Sequence, residues 1–182
     1  CTIASSEDSP LLALNAAQMA DGYVILLKDV QLTRPIEILN IGRSKGKAIA
    51  FHPRNLIIID QQSEGTIIEH LSGADEGTYF ANIATEIVVD NESNLKHHRL
   101  FADGHEAFGL ISTGVKVGKD ANYNSFVLSD SGKLLRNDVH IHLVSAGAGT
   151  KVGGIYMADD EQHVDHTILI EHEQALTKSE QI

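Results

Sequence analysis

Histidine is the residue type with the most chemical potential in this sequence. The 182 residues include ten histidines, and the segment His163-Val164-Asp165-His166 sets two of them around a carboxylate. Imidazole nitrogens and carboxylate oxygens bind zinc and iron, so His163, Asp165 and His166 are candidate metal ligands. Spacing alone does not bring three side chains to one point, and no HExxH helix pattern is present. We therefore favour residues of a surface turn or an interface.

A second histidine pair, His140 and His142, lies in an apolar run. Residues two apart in a strand point to the same side, so the pair could bind a metal as the start of a cupin motif does. No glutamate follows along the strand at the cupin spacing, and Val139, Ile141 and Leu143 fill the opposite face. We interpret the histidine pair as an outward-facing polar row.

Patterns for catalysis are weak. Asp159-Asp160, which Glu161 follows directly, is the tight carboxylate pair considered for glycan cleavage, and with no tryptophan the chain offers little aromatic surface for a glycan. The loop 42–47 has one residue too few between its glycines for a phosphate loop, and Ala48 stands where Ser or Thr should hold magnesium. There is no GxSxG elbow, and the single cysteine, Cys1, excludes an internal disulfide framework. The sequence therefore contains no convincing catalytic constellation.

The charge balance limits the partners. Fourteen lysines and arginines against 25 aspartates and glutamates give a formal net charge of -11. Broad nucleic-acid surfaces obtain much of their affinity from cations that contact phosphates, so we expect no nucleic-acid partner. The longest apolar stretches, 23–27 and 56–59, are far too short to span a bilayer, so we expect no membrane partner either.

Short strands dominate the predicted secondary structure. One helix is predicted, with Ser9 as N-cap, Pro10 at the first helical position and Gly22 placed to end it. Afterwards, turn residues recur too often to leave room for long helices, which argues against a doubly wound α/β fold. The predicted strands include 23–27, 56–59, 66–70, 86–89, 95–100, 108–111, 124–128, 139–144 and 167–170.

A repeat indicates the kind of all-β fold. Four turn-and-strand segments follow one another at steps of 28 residues, and a second strand series keeps nearly the same step. Two strands per unit predict a β-solenoid, in which stacked coils bury a continuous core. An antiparallel sandwich is the alternative, but its turns usually fall at irregular offsets. The first series is Gly65, Ser93, Ala121 and Gly149, and the second is Ile58, Val88, Val117 and Val144.

Several segments together resemble a known family. They are 13–17, 53–58, 85–89, 97–100, 134–139, 149–156 and 162–167. In these segments the chain is similar to the core of the SufB/SufD proteins, scaffold components of the Suf iron–sulfur cluster assembly system, and it looks more like SufD than SufB. The likeness runs from about residue 11 to the end. It implies a right-handed parallel β-helix (a β-solenoid), in agreement with the repeat.

The same resemblance implies partners and a location. They are a SufB-type scaffold protein and a SufC-type ABC ATPase, with a homodimer as another assembly of the family, in the cytoplasm or in a plastid. The cysteine and histidine that the family uses in cluster assembly have no counterpart in these residues. We therefore carry over no cluster ligand and expect neither a cofactor nor a catalytic residue in this chain, with the iron–sulfur cluster handled by the complex.

These observations give one hypothesis and two alternatives. We expect a polar N-terminal segment with a short helix, residues 1–22, and a β-helix core, residues 23–182, truncated at both ends relative to the family. The hypothesis is a SufD-like, non-catalytic scaffold subunit. The alternatives are a β-helix polysaccharide lyase or hydrolase, and a histidine-rich metal-binding module.

Overall fold

The fold is built almost entirely from strands. The computed structural model describes residues 3–4, 9–44, 46–73, 77–130, 132–159 and 161–182. Within these residues one helix, α1 (Pro10–Gln18), precedes thirteen strands. The strands are β1 (Val24–Leu27), β2 (Ile36–Gly42), β3 (Ile49–Phe51), β4 (Arg54–Ile59), β5 (Glu64–Gly73), β6 (Tyr79–Val89), β7 (Asn94–Ala102), β8 (Ala107–Val117), β9 (Asn122–Ser129), β10 (Leu134–Leu143), β11 (Gly149–Tyr156), β12 (His163–His172) and β13 (Lys178–Gln181).

The strands form two parallel sheets. The first sheet has the order β1-β4-β6-β8-β10-β12, with β3 also paired to β6, and the second has the order β13-β11-β9-β7-β5-β2. From β4 onwards the chain alternates between the sheets, so it winds into a β-solenoid of about five turns. This confirms the predicted all-β solenoid and excludes the antiparallel sandwich.

The core lies between the two sheets. Successive side chains of a strand point to opposite faces, so every second residue of a coil enters the interior. On β10, Ile141 and Leu143 are fully buried, whereas His140 and His142 face outwards. Strand pairing places the inward residues of successive coils in columns. One such column, completely buried, consists of Ile57, Ile87, Val115 and Ile141.

Successive coils turn from the first sheet to the second through similar corners. Each of these corners has one residue in the left-handed backbone region, with φ between 52° and 79°. Backbone hydrogen bonds stack neighbouring corners: the N–H of Gln62 donates to the carbonyl of Asn91 at 3.1 Å, and that of Glu92 to the carbonyl of Lys119 at 2.8 Å. These bonds keep the corners of successive coils aligned. The left-handed corner residues are Asp29, Gln62, Glu92, Asp120, Gly147 and Leu176.

The repeat length is confirmed, but the predicted register is right only in its middle. Ser93 and Ala121 occupy equivalent positions, one residue before a paired asparagine in each coil. Gly65 instead pairs with Leu95, and Gly149 pairs with Asn122. The number of residues per coil varies because corners and loops accommodate single extra residues without interrupting the strand pairing. The equivalent positions are Glu64, Asn94, Asn122, Gly149 and Lys178, separated by 30, 28, 27 and 29 residues.

The helix begins where predicted and ends earlier. Ser9 caps α1, because its hydroxyl accepts the backbone N–H of Leu12 at 3.4 Å. The helix ends at Gln18, so Gly22 does not end it. Gly22 serves another purpose: a Cβ at this position would lie 1.9 Å from the carbonyl oxygen of Arg54. Only glycine allows the chain to pass this close to β4.

Helix α1 packs on the outer face of the first sheet. The buried Asn15 donates from Nδ2 to the carbonyl oxygens of Pro53 and Asn82, both at 2.9 Å. Asn82 returns a hydrogen bond from its own Nδ2 to the carbonyl of Leu11 at 3.0 Å. This exchange of side-chain and backbone bonds ties the helix to β6.

Some residues named in the sequence-based predictions are not described by the structure, and some strands were not predicted. Cys1, Lys45 and Asp160 lie outside the described residues. Strands β2, β3 and β13 were not predicted; β13 has the sequence KSEQ and is recognisable only through its pairing with β11. In the part of the chain that the structure describes, no helix has the length and apolar character needed to cross a membrane.

Candidate functional site

Strand alternation separates the three predicted metal ligands. Asp165 lies on the outer face of β12, where its Oδ2 is 3.4 Å from Nη1 of Arg136. His166 faces the interior, where its Nδ1 is 3.1 Å from Nδ2 of Asn137. His163 is exposed at the start of the strand. The structure therefore does not bring His163, Asp165 and His166 to one point, because adjacent residues of a strand point to opposite faces.

A chain of polar side chains runs through the solenoid interior instead. His97 is fully buried, with Nε2 2.8 Å from Glu69 Oε2 and Nδ1 3.0 Å from the hydroxyl of Tyr123. Tyr23 donates its hydroxyl to the other oxygen of Glu69. We call all the hydrogen-bonded polar side chains of the interior the interior polar ladder. It consists of Tyr23, Glu69, His97, Arg99, Thr113, Tyr123, Ser129, Asn137 and His166.

The bonding fixes the protonation of the Glu69–His97 pair. Burial alone would raise the pKa of Glu69. The hydrogen bond from His97, the charge that His97 gains when it is protonated in acid, the hydrogen bond from Tyr23 and the charge of Arg99 outweigh burial and lower the pKa to about 2. Burial also lowers the pKa of His97, and Glu69 opposes that shift only in part. At pH 7 Glu69 is therefore a carboxylate. His97 is a neutral imidazole that donates from Nε2 and accepts the Tyr123 hydroxyl at Nδ1.

Arg99 begins a second hydrogen-bonded group of the ladder and acts on the first group through its charge, which lowers the pKa of Glu69. Its Nη1 donates to Thr113 Oγ1 at 2.9 Å and to Asn137 Oδ1 at 3.1 Å. His166 continues the ladder, with Nε2 3.1 Å from Ser129 Oγ, and burial is the main cause that lowers the pKa of this histidine. Nε and Nη2 of Arg99 have no hydrogen-bond partner among the described residues.

The interior polar ladder contains residues that carry the family resemblance. His97 and Arg99 come from segment 97–100, Asn137 from 134–139, and His166 from 162–167. Their bonds join neighbouring coils, as Glu69 on β5 and His97 on β7 illustrate. His97 has no exposed surface, so no substrate can contact it while the fold is closed. The ladder therefore cross-links coils.

A second histidine–glutamate group lies on the outer face of the first sheet. We call His140, His142, Glu171 and Glu173 the outer histidine cluster. Glu171 Oε2 is 3.0 Å from both His140 Nε2 and His142 Nδ1, and Glu173 Oε1 is 2.8 Å from His142 Nδ1. The centroids of the two imidazole rings are 4.0 Å apart. One potential ligand atom from each of His140, His142 and Glu171 lies within 4.8 Å of the other two.

The outer histidine cluster borders a groove of about 670 Å³. His140, His142 and Glu173 line it, and residues of the N-terminal segment and α1, including Ala4 and Leu12, also contribute to its wall. The two histidines are half-buried and Glu171 is more exposed. The groove leaves the imidazoles accessible to solvent.

The outward orientation of His140 and His142 is confirmed, but their carboxylate partner was not predicted. A cupin motif has its glutamate farther along the same strand, whereas here Glu171 is supplied by the next coil. Strand pairing sets Glu171 beside His142, 29 residues earlier in the chain. This distance is one solenoid period, so the repeat itself contains the signal for this contact.

The fold and the interior polar ladder together define the class of protein: a parallel β-solenoid whose coils are cross-linked by buried polar side chains. Residues 41–182 match the family described as SUF system FeS cluster assembly, SufBD core domain. The chain therefore belongs to the SufBD family, as its sequence motifs predicted. Its family is one of iron–sulfur cluster assembly proteins.

Curated relatives agree with this family. An iron–sulfur cluster assembly SufBD family protein of Mycobacterium tuberculosis (strain H37Rv) is 27% identical over 149 residues, which cover 82% of this chain and 36% of that protein. Protein ABCI7, chloroplastic, of Arabidopsis thaliana is 29% identical over 124 residues, 66% of this chain and 26% of that protein. The chain thus spans about a third of the length of the curated relatives it matches.

Proposed function

We propose that this chain is the core of a SufD-like scaffold subunit that works with a SufB-type scaffold protein and a SufC-type ABC ATPase. The match to the SufBD core domain over residues 41–182 carries the proposal. The greater likeness of its motifs to SufD favours a SufD-like over a SufB-like subunit. In this proposal the complex handles the iron–sulfur cluster, and the chain contributes neither a cluster ligand nor a catalytic residue.

The interior polar ladder supports the non-catalytic part of the proposal. Strongly shifted pKa values are typical of active sites but also of structural ion-pair networks. Here Glu69, His97 and Tyr23 satisfy one another inside the solenoid. Hydrogen bonds between coils make the solenoid rigid, which suits a subunit that positions other proteins. No observation favours the glycan-cleaving alternative.

The proposed location is the cytoplasm. A plastid is the alternative location, because one relative carries the name Protein ABCI7, chloroplastic. Fractionation of the source cells, with the protein detected by an antibody, distinguishes the two.

Affinity purification of the tagged full-length protein from its own cells tests the complex. We expect SufB-type and SufC-type chains to co-purify in a fixed ratio that survives gel filtration, and the tag expressed alone to recover neither. Recovery of the protein alone, or only as a homodimer, contradicts the proposed complex. Cleavage of an anionic glycan by the purified protein, lost in Asp159→Asn, contradicts the non-catalytic role.

A further inference from the structure

We infer that the outer histidine cluster binds one divalent transition-metal ion of borderline hardness, represented here by zinc. His140 and His142 supply imidazole nitrogens, and Glu171 supplies a carboxylate oxygen. This inference goes beyond the proposed scaffold function and does not depend on it.

The distances suit such an ion. Zinc binds imidazole nitrogen and carboxylate oxygen at about 2.0–2.2 Å, which places tetrahedral ligand atoms about 3.3 Å apart. The Glu171 oxygen is 3.0 Å from the ligand nitrogens of both His140 and His142. Small rotations of the solvent-accessible Glu171 side chain are enough to open this space to the zinc geometry. Three protein ligands leave a further position for water, as in zinc sites with an open coordination sphere.

The charges suit a divalent ion as well. Glu171 and Glu173 carry two negative charges, and two neutral imidazoles add none, so a bound divalent cation neutralises the cluster. Without metal, the proton on His142 Nδ1 is shared with Glu171 and Glu173. Zinc bound at this nitrogen takes the place of the hydrogen bond to Glu173, which is then free to act as a fourth ligand or to bind a coordinated water.

The solenoid holds the ligands in place before a metal arrives. His140 and His142 are two residues apart on β10, so they share a face. Glu171 is fixed by the parallel pairing of β10 with β12, which continues over ten residue pairs. Sites on paired strands are held more tightly than sites on loops. The sheet thus limits the entropy that metal binding has to overcome.

The cationic side chains near the cluster differ in how strongly they oppose a bound metal ion. Arg136 contacts Asp138 at 3.0 Å and Asp165 at 3.4 Å, so its charge is compensated. Lys116 on β8 is in register with His142 and is exposed. Its positive charge opposes a cation, and Lys116→Ala is therefore expected to strengthen zinc binding.

Zinc titration of the full-length protein, purified without a histidine tag, tests the inference. Calorimetry is expected to show one zinc ion per chain, and cobalt(II) at the same site is expected to give visible absorption bands. His140→Ala/His142→Ala should abolish both signals. Glu171→Gln keeps a hydrogen-bonding side chain but loses the charge, and should weaken binding by at least about 10-fold. His98→Ala, which removes an exposed histidine of the second sheet, is the matched control and should bind as the wild type does.

Several results would overturn the inference. One is the absence of stoichiometric zinc binding, and another is equal binding by wild type and the double variant. Equal weakening by His98→Ala would identify scattered surface histidines as the cause. Circular dichroism in chelator separates loss of the site from loss of the fold, because the double variant is expected to keep the wild-type spectrum.

Discussion

Two histidine–glutamate pairs in this molecule have nearly the same separation and opposite surroundings. His97 and Glu69 lie 2.8 Å apart in the interior, and His142 and Glu171 lie 3.0 Å apart on the outer face. Inside, both ring nitrogens of His97 already have partners and the ring has no exposed surface. Outside, two imidazoles share one carboxylate oxygen beside a groove.

The comparison shows that surroundings decide what this pair of side chains does. Removal of His97 from the buried pair leaves the Glu69 carboxylate without its hydrogen bond in a medium that solvates a charge poorly. Removal of one partner from an exposed pair leaves a charge that water solvates. We therefore expect the inner pair to control stability and the outer pair to control binding.

The largest difference should come from matched glutamate substitutions. Glu69→Gln removes the charge that faces Arg99 in the interior and is expected to lower the free energy of unfolding by about 3–5 kcal/mol. Glu171→Gln, measured in chelator, is expected to lower it by less than about 1 kcal/mol. Urea unfolding of the full-length protein, followed by circular dichroism, measures both. Equal losses would break the comparison.

Acid should act mainly on the inner pair. The pKa of Glu69 falls from 4.5 in the unfolded chain to about 2 in the fold, so its carboxylate stabilises the fold above pH 4.5 and this contribution is lost between pH 4.5 and 2. The shift corresponds to about 3 kcal/mol. The pKa of His97 is also lowered, so its contribution is present above pH 6.5 and is lost as the pH falls below that value.

Unfolding free energies measured from pH 7 to pH 2 check this prediction. The wild type should lose stability from pH 6.5 downwards, and Glu69→Gln should flatten the curve below pH 4.5. A wild-type curve with no loss between pH 4.5 and 2 would show that Glu69 has an ordinary pKa.

Zinc should act only on the outer pair. A ligand that binds the folded state alone at a concentration of 100 times its Kd stabilises a protein by about 2.7 kcal/mol. We expect this gain in urea unfolding of the wild type with excess zinc, and none in His140→Ala/His142→Ala. A gain that persists in the double variant would place the bound zinc elsewhere.

The smallest effect should come from a single outer histidine in the absence of metal. His140→Ala in chelator removes one exposed contact with Glu171 and is expected to change the free energy of unfolding by less than about 1 kcal/mol. Thermal unfolding of His140→Ala, compared with that of the control variant His98→Ala, checks this value. A clearly larger loss than in the control would make the outer histidine cluster a structural element.

Much of the fold could be predicted from the sequence because a solenoid repeats its own rules. Alternation and period identified two strands per coil, and family motifs identified the class. The unpredicted strands differ in their signals. Strand β13 has no apolar residue and forms because β11 offers it an edge to pair with, whereas β2, with the sequence IEILNIG, carries an alternating pattern that was overlooked. Gly22 was predicted to end the helix because glycine often does so. Glycine is instead required at this position because the carbonyl of Arg54 lies too close for a Cβ.

The sites were harder to predict because they form between coils. His163, Asp165 and His166 are adjacent in sequence, yet alternation along β12 sends Asp165 outwards and His166 inwards. Glu171 is distant in sequence from the histidines it contacts, and parallel pairing brings it beside His142. The interior contact of Glu69 with His97 likewise joins successive coils. In a solenoid, a search for ligand sets should add one period to each candidate position.

Anomalous X-ray diffraction from crystals of the full-length protein soaked in zinc tests the contrast most directly. We expect one strong anomalous peak bounded by His140 Nε2, His142 Nδ1 and Glu171 Oε2, and no peak in contact with His97. An empty outer histidine cluster at a zinc concentration that saturates binding in solution, or a zinc ion bound to His97, would contradict the account.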